Sequence, residues 1–128
     1  GDKRIGVALS DETGLIASAM ETITYERRKT ALEHIAHLIE EHSVGSIIVG
    51  WPIEASGRIG LQARKVDKFI NALEPLIQVP VVRWDERMTT VMAERVLLEA
   101  NLRRDRRRKV IDKVAATIIL QSWLDSQS

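Results

Sequence analysis

The run Ser46-Ile47-Ile48-Val49-Gly50 constrains the fold more than any other segment. It is apolar after its serine, lacks polar alternation and is too short for a helix, so it reads as a strand covered on both faces. Helical periodicity flanks it. Upstream, Leu32, Ile35, Ala36, Leu38 and Ile39 form an apolar stripe, with a capping box at Thr30 and Glu33 as its start and Gly45 as its stop. Downstream, Trp51-Pro52 and a loop containing Gly57, Arg58 and Gly60 lead to a second stripe of Val66, Phe69, Ile70 and Leu73. Residues 79–84 read as another buried strand and feed a helix over about 89–100, striped by Met92, Ala93, Val96, Leu97 and Ala100. A last helix is expected over about 109–124. Ahead of all this, residues 5–9 and 17–24 read as two strands around the turn-rich Ser10-Asp11-Glu12-Thr13-Gly14. A hairpin followed by strand–helix alternation predicts an α/β fold with a mixed sheet.

The 128 residues suit a single domain, residues 1–128, and show neither an internal repeat nor a boundary. With no cysteine, disulfides, thiolate metal sites and a cysteine nucleophile are excluded, and a reducing cytoplasm is the expected location. No apolar run approaches 18 residues, so no membrane association is expected. Ser–His–Asp order, a Walker motif and GxGxxG are all absent, which argues against acyl transfer and P-loop chemistry. His34 and His37 are three apart on the first helix, but no cysteine or acidic cluster completes a metal site, and they read as surface residues. The net charge of +1 is uneven: residues 103–109 carry +5, leaving −4 for the rest.

Two acids stand out against this background. Glu86, in Trp84-Asp85-Glu86-Arg87, follows an apolar strand directly, at the carboxyl end where functional groups gather in parallel sheets. Asp112 heads the final helix, and its three- and four-residue neighbours Ala115, Ala116, Ile119 and Leu120 are all apolar, so its carboxylate is expected along the buried stripe. A buried charge needs a partner, and a dication shared with a second acid is one candidate. The plainer readings are a solvent-facing acid ahead of a helix for Glu86 and a first-turn acid complementing the helix dipole for Asp112. Asp85 could assist a metal through water, pair with Arg87 or cap the turn.

Four segments, in order and in register, carry a resemblance: Gly1-Asp2-Lys3-Arg4-Ile5-Gly6-Val7-Ala8; Ile48-Val49-Gly50-Trp51-Pro52 with Gly57; Trp84-Asp85-Glu86-Arg87-Met88-Thr89-Thr90; and Val110-Ile111-Asp112-Lys113-Val114-Ala115-Ala116. Together they resemble the YqgF/RuvX family, described as pre-16S rRNA nucleases related to Holliday-junction resolvases, with an RNase H-like fold. Trp51 stands where the family usually has leucine. The family opens with a strand ending in Asp-x-Gly whose aspartate binds metal; Gly1 matches that glycine, so the aspartate and the central strand would precede Gly1.

The resemblance implies a metal-dependent nuclease, with Glu86 and Asp112 as catalytic metal ligands, Mg²⁺ or Mn²⁺ as a two-metal cofactor, and the 5′ region of precursor 16S rRNA as substrate. Branched-DNA resolution and a non-catalytic nucleic-acid-binding or ribosome-assembly role are the alternatives. A nucleic acid is the expected partner, structured RNA before branched DNA, and the protein a monomer or homodimer. Arg4 resembles the family's arginine after the glycine turn and is a candidate phosphate contact. The run Arg103, Arg104, Arg106, Arg107, Arg108 and Lys109 is the strongest nucleic-acid candidate, since cations at a helix N-terminus oppose the dipole unless polyphosphate offsets them. No aromatic residue interleaves with it, so backbone contact is expected rather than base stacking. Arg58, in the loop 54–60, could line the same cleft, and a flexible connector is the alternative.

Overall fold

The computed structural model describes residues 3–88 and 104–127; within 104–108 the description covers the backbone only. The expected helix over 89–100 and Arg103 lie outside the described residues. Two compact units emerge, one of Gly1–Thr24 with Met88–Ser128 and one of Tyr25–Arg87. Strand–helix order and pairing define an α/β protein.

In the first unit, β1 (Arg4–Ser10) pairs antiparallel with β2 (Ala17–Thr24). The register steps between Val7↔Glu21 and Ala8↔Ala19, leaving Met20 as a bulge residue. Asp11 builds the connecting turn: its carboxylate accepts from the Thr13 hydroxyl at 2.7 Å and from the Leu15 and Ile16 amides at 3.0 and 3.2 Å. That hydroxyl, aided by the amides, holds the Asp11 carboxyl below the usual carboxylate range. The helix α3 (Arg104–Ser126, the last helix of the chain) packs across both strands. It buries Ile111, Ala115 and Ile119, a stripe of period four, together with Leu124.

The second unit contains α1 (Arg28–Glu41), β3 (Ile47–Trp51), α2 (Leu61–Leu73) and β4 (Val81–Asp85). β3 and β4 pair in parallel with Ile47↔Val81 through Trp51↔Asp85 in unbroken register. The core collects Ala31 and Leu32 from α1 and Ala63, Ile70 and Leu73 from α2. Residues 47–51 are half-buried rather than enclosed on both faces.

Three expectations need correction. The first helix begins at Arg28 with Arg27 as an extended N-cap that makes no side-chain bond, so Thr30 and Glu33 are interior and form no capping box. The same helix stops at Glu41, capped by His42, and Ser43 takes the left-handed conformation (φ 52°) that Gly45 was expected to supply. The final helix starts five residues early, inside the basic run. Arginine and lysine are good helix formers, and this preference outweighs the few tenths of a kcal/mol each loses to the dipole.

Candidate functional site

Asp112 lies in the third turn from the described start of α3, half-buried at the flank of the stripe rather than along its centre, which runs through Ile111, Ala115 and Ile119 one residue earlier. Its partner among the described residues is Arg4, whose Nε donates to Oδ2 at 2.8 Å; the two side chains are 21% and 23% exposed. The backbone around the aspartate is held as firmly. A Cβ on Gly6 of β1 would lie 1.9 Å from the Asp112 carbonyl oxygen, so only glycine lets strand and helix approach this closely. One turn before, the Thr22 hydroxyl donates to the Lys109 carbonyl at 2.6 Å. At the far end of α3, the Gln121 amide accepts from the Ala17 N–H at 2.9 Å and donates to the Leu15 carbonyl at 2.9 Å. The candidate phosphate contact Arg4 is thus brought directly onto the candidate metal ligand Asp112.

Glu86 belongs to the other unit. It opens a short 3-10 turn, Glu86–Met88, that follows β4; Glu86 is half-buried and Met88, at the turn's end, is 67% exposed. Asp85 does what its plainer readings predict. It accepts from the Arg87 backbone N–H at 2.9 Å, from Arg87 Nε at 3.1 and 3.0 Å, and from Arg87 Nη2 at 2.8 Å, so it both pairs and caps the turn. The Arg87 hydrogen bonds hold the Asp85 carboxyl below its usual range, and the same bonds push the Arg87 guanidinium up. A depressed acid contributes stability that is present above its ordinary value and lost as pH falls through the lowered folded one. The pair is therefore expected to persist at every pH where RNA is stable, and an NMR titration of the Asp85 carboxyl should show its midpoint below that of a free aspartate. A midpoint at or above the free value would contradict the clamp.

Arg87 also reaches back to the loop after β3, where Nη1 donates to the Ala55 carbonyl at 3.4 Å. Gly57 makes room for it: its φ is +90°, and a Cβ there would sit 3.3 Å from Nη1. Neither Arg87 nor Gly6 was singled out as functional from sequence. The motif Asp85-Glu86-Arg87 carried the signal for the first; the second depends on a contact 106 positions away that no local pattern shows. Arg58 meets Glu54 Oε2 at 3.7 Å, with side chains 79% and 51% exposed, an ion pair of little energetic weight. Arg104, Arg106, Arg107 and Arg108 lie on the helical backbone of α3, and Lys109 is exposed. His34 and His37 are exposed as expected. Among the described residues, no group of three or more acidic or histidine side chains could hold a metal ion, and no helix is long and apolar enough to cross a membrane.

An antiparallel pair, a parallel pair and the helices between them make an α/β protein, and the family match makes it one of the RNase H-like kind. The family model described as "RuvX: Holliday junction resolvase" matches residues 1–126. Proteins carrying the name "Putative pre-16S rRNA nuclease" are similar along nearly the whole chain. That of Thermoanaerobacter pseudethanolicus is 48% identical over 128 residues, covering 99% of this chain and 92% of that protein. That of Caldanaerobacter subterraneus is 50% identical over 131 residues, covering 99% and 92%. That of Geobacillus kaustophilus is 46% identical over 129 residues, covering 99% and 94%. The chain belongs to the RuvX family.

Proposed function

We propose that the protein is a metal-dependent nuclease that hydrolyses phosphodiester bonds in the 5′ region of precursor 16S rRNA. The observation that carries the reading is the placement of Asp112, a half-buried carboxylate fixed by Arg4 and by the Gly6 approach on a helix of a RuvX-family chain. The relatives' names support the substrate.

Glu86 and Asp112 are the residues proposed to hold Mg²⁺ or Mn²⁺. Their chemistry fits, because both offer hard carboxylate oxygens, and the chain has no cysteine to favour a softer ion. When bound, such ions activate water and absorb charge on the leaving oxygen. The chain's own contributions are positional. Arg4 compensates the Asp112 charge and holds the carboxylate in one orientation, and Arg87 with Asp85 fixes the turn that carries Glu86.

Backbone contact with RNA is assigned to the basic start of α3. Neutralising Arg106, Arg107 and Arg108 is expected to flatten the log–log dependence of RNA affinity on salt by about 2, three contacts each worth about 0.7. An unaltered slope would remove the run from the contact surface. A second reading, resolution of branched DNA, has the family description in its favour; symmetric cutting of two strands calls for a dimer, so a strict monomer in sedimentation would exclude it. The test of the main reading is cleavage of a 5′-extended 16S precursor in Mg²⁺ or Mn²⁺ by the wild-type and carboxylate-replaced chains. RNA binding without cleavage by any of them would leave a non-catalytic binding module.

A further inference from the structure

We infer that Arg87 is a positioning residue that braces the turn bearing Glu86 against the loop after β3, so that this loop governs how well Glu86 meets a metal ion. The inference rests on the nuclease reading for the role of Glu86. Its parts, from Glu54 to Arg87, lie within one compact unit. Parallel register as far as Trp51↔Asp85 makes β3 and β4 end side by side, so the segments leaving them start as neighbours. The first of these segments is a small hairpin. The Gly57 N–H donates to the Glu54 carbonyl at 2.8 Å, and the Glu54 N–H donates to the Arg58 carbonyl at 3.0 Å. Gly57 takes the left-handed position that closes a turn of this pattern, with a φ of 90°.

One guanidinium touches both segments. Its Nε and Nη2 donate to Asp85 Oδ2 at 3.0 and 2.8 Å, while its Nη1 donates to the Ala55 carbonyl at 3.4 Å. Asp85 also accepts from the Arg87 backbone N–H at 2.9 Å, so a shift of the side chain is passed to the main chain next to Glu86. Gly57 permits the approach, since a Cβ there would stand 3.3 Å from Nη1. A lysine could reach Asp85 or Ala55 but not both, because an ammonium is a single point where the guanidinium is a planar fork. Residues that orient a metal ligand from behind commonly change metal affinity by about 10–100-fold when replaced. The Arg87 side chain is 41% exposed, so its loss leaves the core intact.

The experiment compares the full chain with Arg87→Ala, Arg87→Lys, Gly57→Ala and the double variant R87A/G57A. Calorimetry with Mn²⁺ alone should show about tenfold weaker binding for both Arg87 variants. Their kcat on a 5′-extended 16S precursor should fall by a similar factor, while metal-free RNA binding stays within about twofold and the melting temperature within about 5 °C. Gly57→Ala should also weaken Mn²⁺ binding, and should add nothing in the chain that already lacks Arg87, as expected of two residues acting through one contact. Without metal, amide exchange at Glu54 and Gly57 should quicken in Arg87→Ala, and exchange at Arg87 should quicken in Gly57→Ala. Wild-type Mn²⁺ affinity in Arg87→Lys, additive losses in R87A/G57A, or unaltered exchange at Glu54 and Gly57 would each overturn the inference. A wild-type chain that neither binds Mn²⁺ nor cuts RNA would sink the nuclease reading instead, and the metal-free exchange rates would still decide whether the brace exists.

Discussion

Replacing Glu86 or Asp112 with alanine is expected to lower kcat for metal-dependent RNA cleavage by more than about 10³-fold, equivalent to about 4 kcal/mol of barrier. RNA affinity should change only a few-fold, because the basic run proposed to contact phosphate keeps its charges. The Asp112 replacement needs a companion, since it also deprives the half-buried Arg4 guanidinium of its partner, a loss of about 1.5–3 kcal/mol for a charged hydrogen bond. Asp112→Asn separates the two effects. The amide oxygen still accepts from Arg4 Nε, so the fold is expected to melt near the wild-type temperature, while a neutral ligand binds a hard dication poorly. Loss of cleavage and of calorimetric Mn²⁺ binding in a well-folded Asp112→Asn chain is the predicted result. Cleavage equal to wild type in either Asp112→Asn or Glu86→Ala would remove that residue from the site.

The largest effect on stability is expected from Gly6→Ala. The added methyl carbon would lie 1.9 Å from the Asp112 carbonyl oxygen and 2.3 Å from its carbon, and both are main-chain atoms of a long helix that cannot swing aside. Either β1 or α3 must move. Overpacking of this kind costs about 3 kcal/mol, which for a chain of this size lowers the melting temperature by about 10 °C. Movement of α3 would carry Asp112 away from Arg4, so Mn²⁺ affinity should fall together with stability. A melting temperature within 2 °C of wild type would show that strand and helix are not in backbone contact.

How much of this could be read from sequence follows from the range of each interaction. The four described strands were legible to within two residues, because an apolar run between turn residues is a local signal. The Asp85–Arg87 pairing was legible for the same reason, its partners being two positions apart. Helix ends were read less well. Thr30 and Glu33 have the pattern of a capping box, yet Arg28 and Lys29 are strong enough helix formers to extend the helix past them. Asp112 was picked out by its apolar surroundings. Its actual partner, Arg4, is 108 positions away and was assigned to phosphate, since no pattern within the helix points to a strand at the other end of the chain.

The two holds on α3 lie more than a helical turn apart, with Arg4, Gly6 and Thr22 near its start and both ends of the Gln121 amide near its finish. Sliding the helix by one turn, about 5.4 Å, would bring another backbone carbonyl to Thr22 but would break the Arg4–Asp112 and Gln121 side-chain bonds together. The hairpin therefore acts as a ruler for α3, admitting one lengthwise setting and so a single address for Asp112.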